Sequence, residues 1–290
     1  MSQTFTFEAI GTQFWIEIFD EVHEHEHTSI KDRCVLICSG FNLKYSRFLS
    51  DSDISVLNRE RRLENPSAEL VALLSYGKQL YVRSETTFNI LTGHIVEARG
   101  YDASYSFVPT EDLDTLSMGN PVTDLMIDEH EIVISCGNVD LGGYGKGWLI
   151  DLIAKDFLEH NIRHFLINGG GDMYGTSDNG EPITIYLEHP LEDNAYLAET
   201  TLLNQGFAAS SPFKRQWKVG DITHTHIVTK GEVPQLATFA KAASATDADA
   251  FATVCLLLPE DQLPVIAARE DCAFARFNPA TNQLWQTRNF

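Results

Sequence analysis

The segment Val139-Asp140-Leu141-Gly142-Gly143-Tyr144-Gly145-Lys146-Gly147-Trp148 packs four glycines and a lysine into six positions, after an apolar run that reads as a strand. Glycine admits positive φ and close approach of the backbone to a ligand, and the unpaired N–H groups of a following helix attract anions. This is the local design of a phosphate cradle, and it points to a nucleotide. It fits neither common fingerprint. A Walker loop needs Ser or Thr after the lysine to hold magnesium, where this chain has Gly147, and a Rossmann turn needs Gly-x-Gly-x-x-Gly, whereas Gly143, Gly145 and Gly147 are two apart. A magnesium ion at this loop would need ligands from elsewhere.

Other residues offer chemistry. Ser244-Ala245-Thr246-Asp247 matches a capping box, so a helix starts there. Asp249 and Thr253, four residues apart, share one face of it among small alanines. A carboxylate, a hydroxyl and one backbone carbonyl make a partial oxygen shell for magnesium; the same spacing also describes a buried helix whose Asp and Thr bond to neighbouring backbone. Asn168-Gly169-Gly170-Gly171-Asp172 is either a nest of N–H groups around an anion or ribose, or a plain tight turn. Lys146 either neutralises a phosphate or is solvated. His224 and His226 alternate, as for one face of a strand, and histidine serves as a base near neutral pH. His23-Glu24-His25-Glu26-His27 reads as an exposed turn. No Gly-x-Ser-x-Gly elbow or His-Glu-x-x-His pair is present, which argues against hydrolases and metalloproteases of those types.

These residues need a scaffold, and 290 residues suffice for one large domain or two intimate lobes, burying roughly 75% of the unfolded surface. The net charge of −20 disfavours nucleic acid and anionic membranes as partners, and leaves a bound nucleotide dependent on a metal, Lys146 and helix N-termini for compensation. No signal peptide or membrane-spanning run is seen, so a cytoplasmic location and no membrane anchor are expected. Five scattered cysteines in apolar segments read as buried free thiols. Two strands broken at Gly11-Thr12 open the chain. Helices are predicted over 28–46, after Asp51-Ser52-Asp53, over 66–84, 148–160 and 245–258. Strands are predicted in a hairpin over 125–135, at 139–141, 164–167, 183–186, 207–209, 226–228, 274–277 and 283–286, with an exposed acidic loop over 109–121. Strand, glycine loop, helix, strand and second glycine loop within about 35 residues suggest one βαβ-like unit. The interleaving favours an α+β fold, mixed sheets with flanking helices, over a doubly wound sheet.

Taken together, these segments resemble the FAD:protein FMN transferase family, also called ApbE, along nearly the whole chain. Glu8-Ala9-Ile10-Gly11-Thr12 is similar to the family's Ala-Met-Gly-Thr. Tyr45-Ser46-Arg47-Phe48 and Asp53-Ile54-Ser55-Val56-Leu57-Asn58 resemble Phe-Ser-x-Phe and Ser-x-Leu-x-x-Leu-Asn. Asp140 to Gly147 resembles Asp-Leu-Gly-Gly-x-Ala-Lys-Gly, with Asp151 at a matching downstream aspartate. Asn168 to Asp172 resembles Asn-x-Gly-Gly-Asp, His226-Ile227 the start of His-Ile-Ile-Asp-Pro, and Asp249 to Thr253 Asp-Ala-x-x-Thr. The resemblance implies a Mg2+-dependent transferase that splits FAD at its pyrophosphate, joins FMN to a threonine of an acceptor flavoprotein carrying a Ser/Thr-Gly-Ala-Thr-like motif, and releases AMP. Alternatives within the same chemistry are a Mg2+-dependent FAD pyrophosphatase and a non-catalytic flavin-binding protein. By position, Gly145 (through its carbonyl), Asp249 and Thr253 would hold the metal, with His226 and Asp249 catalytic. FAD would meet Gly11, Thr12, Tyr45, Ser46, Asn89, Lys146, Asp151, Asn168, Gly170, Gly171, Asp172 and His226. The chain departs from the family at Asn89 and Leu91, where Asp and Thr are usual, at Thr229-Lys230, in place of Asp-Pro, and at Gly145 in place of Ala.

Overall fold

A computed structural model describes residues 2–290. Strands β1 (Gln3–Ala9) and β2 (Thr12–Ile18) lead into helix α1 (Glu24–Tyr45), followed by α2 (Asp53–Glu60), β3 (Arg62–Glu64), α3 (Ala68–Arg83), α4 (Gly93–Ala98), α5 (Pro121–Asp124), β4 (Leu125–Ile127) and β5 (Glu131–Ile134). Then come α6 (Gly145–Glu159), β6 (Phe165–Gly169), β7 (Asp172–Thr176), β8 (Ile183–Glu188), β9 (Tyr196–Leu202), β10 (Gln205–Ser210), β11 (Gln216–Val219) and β12 (Ile222–Thr225). β13 (Ala237–Ala242), α7 (Ala245–Leu257), α8 (Leu263–Glu270), β14 (Ala273–Asn278) and β15 (Gln283–Gln286) complete the chain. Two compact units result. The first comprises the segment up to Phe41, Gly142–Ser211 and Gln235–Phe290; the second comprises Asn42–Leu141 and Pro212–Pro234.

In the first unit one sheet runs β1-β2-β6-β7-β10-β13-β14-β15, antiparallel at every step. Strands β1 and β2, at one edge, alternate in burial, whereas the interior strands β6, β13 and β14 are buried at nearly every position and so do not alternate apolar and polar. β13, Ala-Thr-Phe-Ala-Lys-Ala, is buried at every position. Phe239 joins the cluster of Ile185, Leu187 and Leu202 under the β8–β9 hairpin, and Lys241 reaches Thr200 of the same hairpin at 3.0 Å. The alternate residues face α7: Thr238 Oγ1 donates to the Ala252 carbonyl at 2.8 Å. The α7 sequence is rich in alanine because nearly every side of it is buried, and small side chains let it approach β10, β13 and α6 closely. In the second unit, α2 and α3 bury Ile54, Leu57, Leu70, Leu73 and Leu74 beside the sheet β3-β5-β4, and β11 pairs with β12.

The α+β expectation stands, and several local ones change. The β–α–β-like unit lacks its first strand, since residues 139–141 form none. Both polar groups of Val139 are taken instead by the Asn58 amide, which donates to its carbonyl at 3.0 Å and accepts from its N–H at 2.7 Å. The helix α6 starts at Gly145, ahead of the predicted Trp148, and β6 and β7 pair antiparallel. The His23 cluster is no turn: α1 begins at Glu24, where Glu26 Oε2 accepts from the His23 N–H at 3.1 Å in a capping arrangement. The strand predicted at 226–228 ends earlier, at Thr225, because Arg99 draws the Thr225 and Ile227 carbonyls onto its guanidinium at 3.0 and 2.8 Å. Four of the five cysteines are buried free thiols, as expected; Cys136 is exposed.

Candidate functional site

In the first unit the site is built where α6 and α7 begin. Ser244 caps α7, its Oγ accepting from the Asp247 N–H at 3.0 Å. Asp151, two turns into α6, is the strut for that helix start: its carboxylate accepts from the N–H groups of Ala245 and Thr246, each at 2.9 Å, and from Thr246 Oγ1 at 2.5 Å. Burial raises the Asp151 pKa against the pull of those bonds. Gly147 completes the seat, because a Cβ there would strike the Ala245 backbone. In this register Asp249 Oδ2 accepts from the Gly147 N–H at 3.0 Å. The α6 N-terminus is thus occupied by a carboxylate, the charge a helix start favours.

Lys146 Nζ is in contact with Asp172 Oδ2 and lies 3.5 Å from Asp249 Oδ2. Both carboxylates are buried. Asp172 titrates upward to about 7, chiefly through burial and next through the Asp249 charge, against the Lys146 ammonium. One turn beyond Asp249, Thr253 Oγ1 lies 3.3 Å from Ser210 Oγ at the end of β10. Ser210 was not singled out by the sequence, since β10 places it beside Thr253 only through sheet pairing. Among the described residues no group of three His, Cys, Asp or Glu side chains forms a metal cluster. Asp249 and Thr253, one turn apart on α7, nevertheless offer carboxylate and hydroxyl oxygens of the kind a hard divalent ion accepts beside waters or phosphate oxygens.

Asn168 to Asp172 is a tight turn. Gly170 and Gly171 take φ of 71° and 102°, and Asn168 Oδ1 accepts from the Gly171 N–H at 2.8 Å. The β1–β2 turn lies against it: Gly11 has φ of 73°, and Thr12 so abuts Gly170 that a Cβ there would hit Thr12 Oγ1. The first unit therefore brings together Lys146, Asp172 and Asp249 with the start of α6, and packs Thr12 on the turn that Asp172 closes.

Tyr45, Ser46, Asn89 and His226 belong to the second unit, and three of them serve its backbone. Tyr45 is buried, and its hydroxyl donates to Glu69 Oε2 at 2.8 Å and sits 3.2 Å from Ser67 Oγ, the cap of α3. Ser46 Oγ accepts from the Phe48 N–H at 3.3 Å. Asn89 donates to the Gly119 carbonyl and accepts from the Leu91 N–H, both at 2.8 Å. His226 Nδ1 lies 3.3 Å from the Arg215 carbonyl; a carbonyl only accepts, so Nδ1 carries the proton and Nε2 is the basic nitrogen of the neutral ring. This unit also holds an aromatic set that sequence reasoning missed: Tyr101 stacks on Trp217 with centroids 5.9 Å apart, Phe48 on Tyr105 at 5.3 Å, and Phe107 leans on Trp217 at 5.3 Å. Arg47 lies 4.2 Å over the Phe48 ring, with its Nε 3.3 Å from Asp140 Oδ2. Aromatics from three separate segments leave no periodic signal.

The family model for ApbE matches residues 10–275. The chain belongs to the ApbE family. It is 28% identical over 214 residues to the FAD:protein FMN transferase of Rhodobacter capsulatus, a match covering 69% of this chain and 40% of that protein. With the FAD:protein FMN transferase of Escherichia coli strain K12 it shares 20% identity, over 91% of this chain and 80% of the other. An ApbE protein from Thermotoga maritima superposes with a TM-score of 0.88 at 17% identity, covering 100% of this chain and 98% of the other, and the Vibrio cholerae flavin transferase ApbE with 0.80 at 16%, covering 99% and 96%. At these identities the superpositions establish the family's fold. The chain spans less than half of the R. capsulatus protein.

Proposed function

We propose that this chain is a Mg2+-dependent FAD:protein FMN transferase that joins FMN to a threonine of an acceptor flavoprotein. The observation that carries the reading is the hydrogen bond from Gly147 to Asp249, which brings the glycine loop and the α7 carboxylate to one place. The names of its relatives in the ApbE family support it further. Asp249, Thr253 and the Gly145 carbonyl would hold the ion, which when bound supplies positive charge to the pyrophosphate and to departing AMP. Lys146 and the positive end of α6 would offset part of the phosphate charge beside the ion. In the balanced reaction the acceptor threonine Oγ forms a bond to the FMN phosphorus, the pyrophosphate P–O bond breaks, AMP leaves with the bridging oxygen, and the hydroxyl proton passes to a base. His226 is the base we assign, through Nε2.

The test mixes the protein with FAD, Mg2+ and an acceptor domain carrying a Ser/Thr-Gly-Ala-Thr-like segment. A fluorescent acceptor band on a denaturing gel, with one AMP per flavin, is the expected result. FMN and AMP without acceptor labelling would establish the pyrophosphatase instead, and intact FAD a binding protein. Asp249→Asn should abolish labelling, and full activity of His226→Ala would remove His226 as base.

A further inference from the structure

Lys146 stands in an unusual relation to the metal assigned above. A lysine serving only to meet a substrate phosphate is expected to extend toward solvent, where its strongly hydrated ammonium is most stable. Lys146 turns inward. Its side chain is 21% exposed, while the carboxylates it addresses, Asp172 and Asp249, are 3% and 8% exposed. The ammonium contacts Asp172 and stands 3.5 Å from the Asp249 oxygen that also takes the Gly147 N–H. With both ionised, the two buried carboxylates outnumber the one ammonium, so the site attracts a further cation. That cation would approach Asp249 against the ammonium already beside it.

We infer that Lys146 and the divalent metal compete for Asp249. Lys146 acts as an internal cation that steadies the carboxylate pair before the metal arrives, then gives up its place beside Asp249 and keeps Asp172. Its flexible four-carbon stem permits this small shift without moving α6. The inference rests on the assignment of Asp249 as metal ligand. It implies that Lys146 weakens binding of the metal alone, the reverse of a lysine that acts only on phosphate, which would leave nucleotide-free metal affinity untouched.

The experiment titrates Mn2+, without nucleotide, into the full chain and follows free Mn2+ by its electron paramagnetic resonance signal. Neutralising Lys146 in Lys146→Met should tighten Mn2+ binding by at least about tenfold, the amount that removing a cation 3.5 Å from a carboxylate is worth at the dielectric of water. Lys146→Arg, which keeps the charge, should bind no more tightly than the parent. Lys146→Gln is a second neutral variant should Met prove unfolded by circular dichroism. Unchanged or weaker binding in the neutral variants overturns the competition. Asp249→Asn tests the underlying assignment separately: if it binds Mn2+ like the parent, the metal reading itself fails, whatever Lys146 does. Reductive 13C-methylation of the unmutated protein gives an independent readout, because the Lys146 methyl resonance should shift on Mg2+ addition; a fixed resonance also overturns the inference.

Discussion

Gly147→Ala tests whether the seating of α7 on α6 sets the position of Asp249. A Cβ at residue 147 would stand 2.6 Å from the Ala245 carbonyl carbon and 2.7 Å from Thr246 Cα, where ordinary contact begins at 3.4 Å. These are backbone atoms, so no side chain can swing aside. The Ala245 carbonyl oxygen is nearer still, so the first turn of α7 must withdraw by about 1 Å to reach ordinary contact. Such a withdrawal would stretch the two 2.9 Å bonds from Ala245 and Thr246 to Asp151 beyond hydrogen-bond range. Overpacking costs about 1–3 kcal/mol, and each bond to a charged group contributes about 1.5 kcal/mol or more, so a loss on the order of 4 kcal/mol is expected. Urea unfolding followed by tryptophan fluorescence measures it, with Mn2+ affinity as the functional readout. The control is Gly40→Ala in α1, where nothing lies within 4 Å of an added Cβ and a gain of about 0.5–1 kcal/mol is expected. Parent-like stability and metal affinity in Gly147→Ala would refute the account of how α6 positions α7.

Asp172→Asn probes the buried charges. The folded-state pKa of Asp172 is raised to about 7, first by burial and then by the Asp249 charge, so its contribution to stability is complete below about pH 4 and is lost as pH rises through 7. The parent should therefore lose a few kcal/mol relative to the variant between about pH 4 and 7; a flat difference would mean that Lys146 keeps Asp172 ionised throughout. Arg276 donates to the Cys255 and Leu258 carbonyls, the latter at 2.7 Å, at the end of α7. Arg276→Ala should cost about 3 kcal/mol by thermal melting, through lost capping and the space left behind. Asn58→Leu strands both polar groups of Val139 and should speed exchange of the Val139 amide about a hundredfold, measured by hydrogen–deuterium exchange. An unchanged rate would show that Asn58 does not hold that segment.

The sequence by itself determined what depends on neighbours along the chain. The Ser244 cap, the helix carrying Asp249 and Thr253 on one face, the glycines needing positive φ at 170 and 171, and the motif order that marks the family all follow from spacing of a few residues. Asn168 to Asp172 forms the turn between β6 and β7, which pair directly across it. Only tertiary structure decided which distant groups satisfy one another. Asn58 takes Val139 from 81 residues away, and Asp151 takes Ala245 from 94. Gly147 meets Asp249 across 102. No local propensity encodes these pairings, because a polar group's partner inside a core is whichever atom packing brings near once water is excluded. For that reason Asp151 emerges as the support of α7, Tyr45 as a buried tie to Glu69, and Lys146 as a neighbour of the carboxylate assigned to the metal.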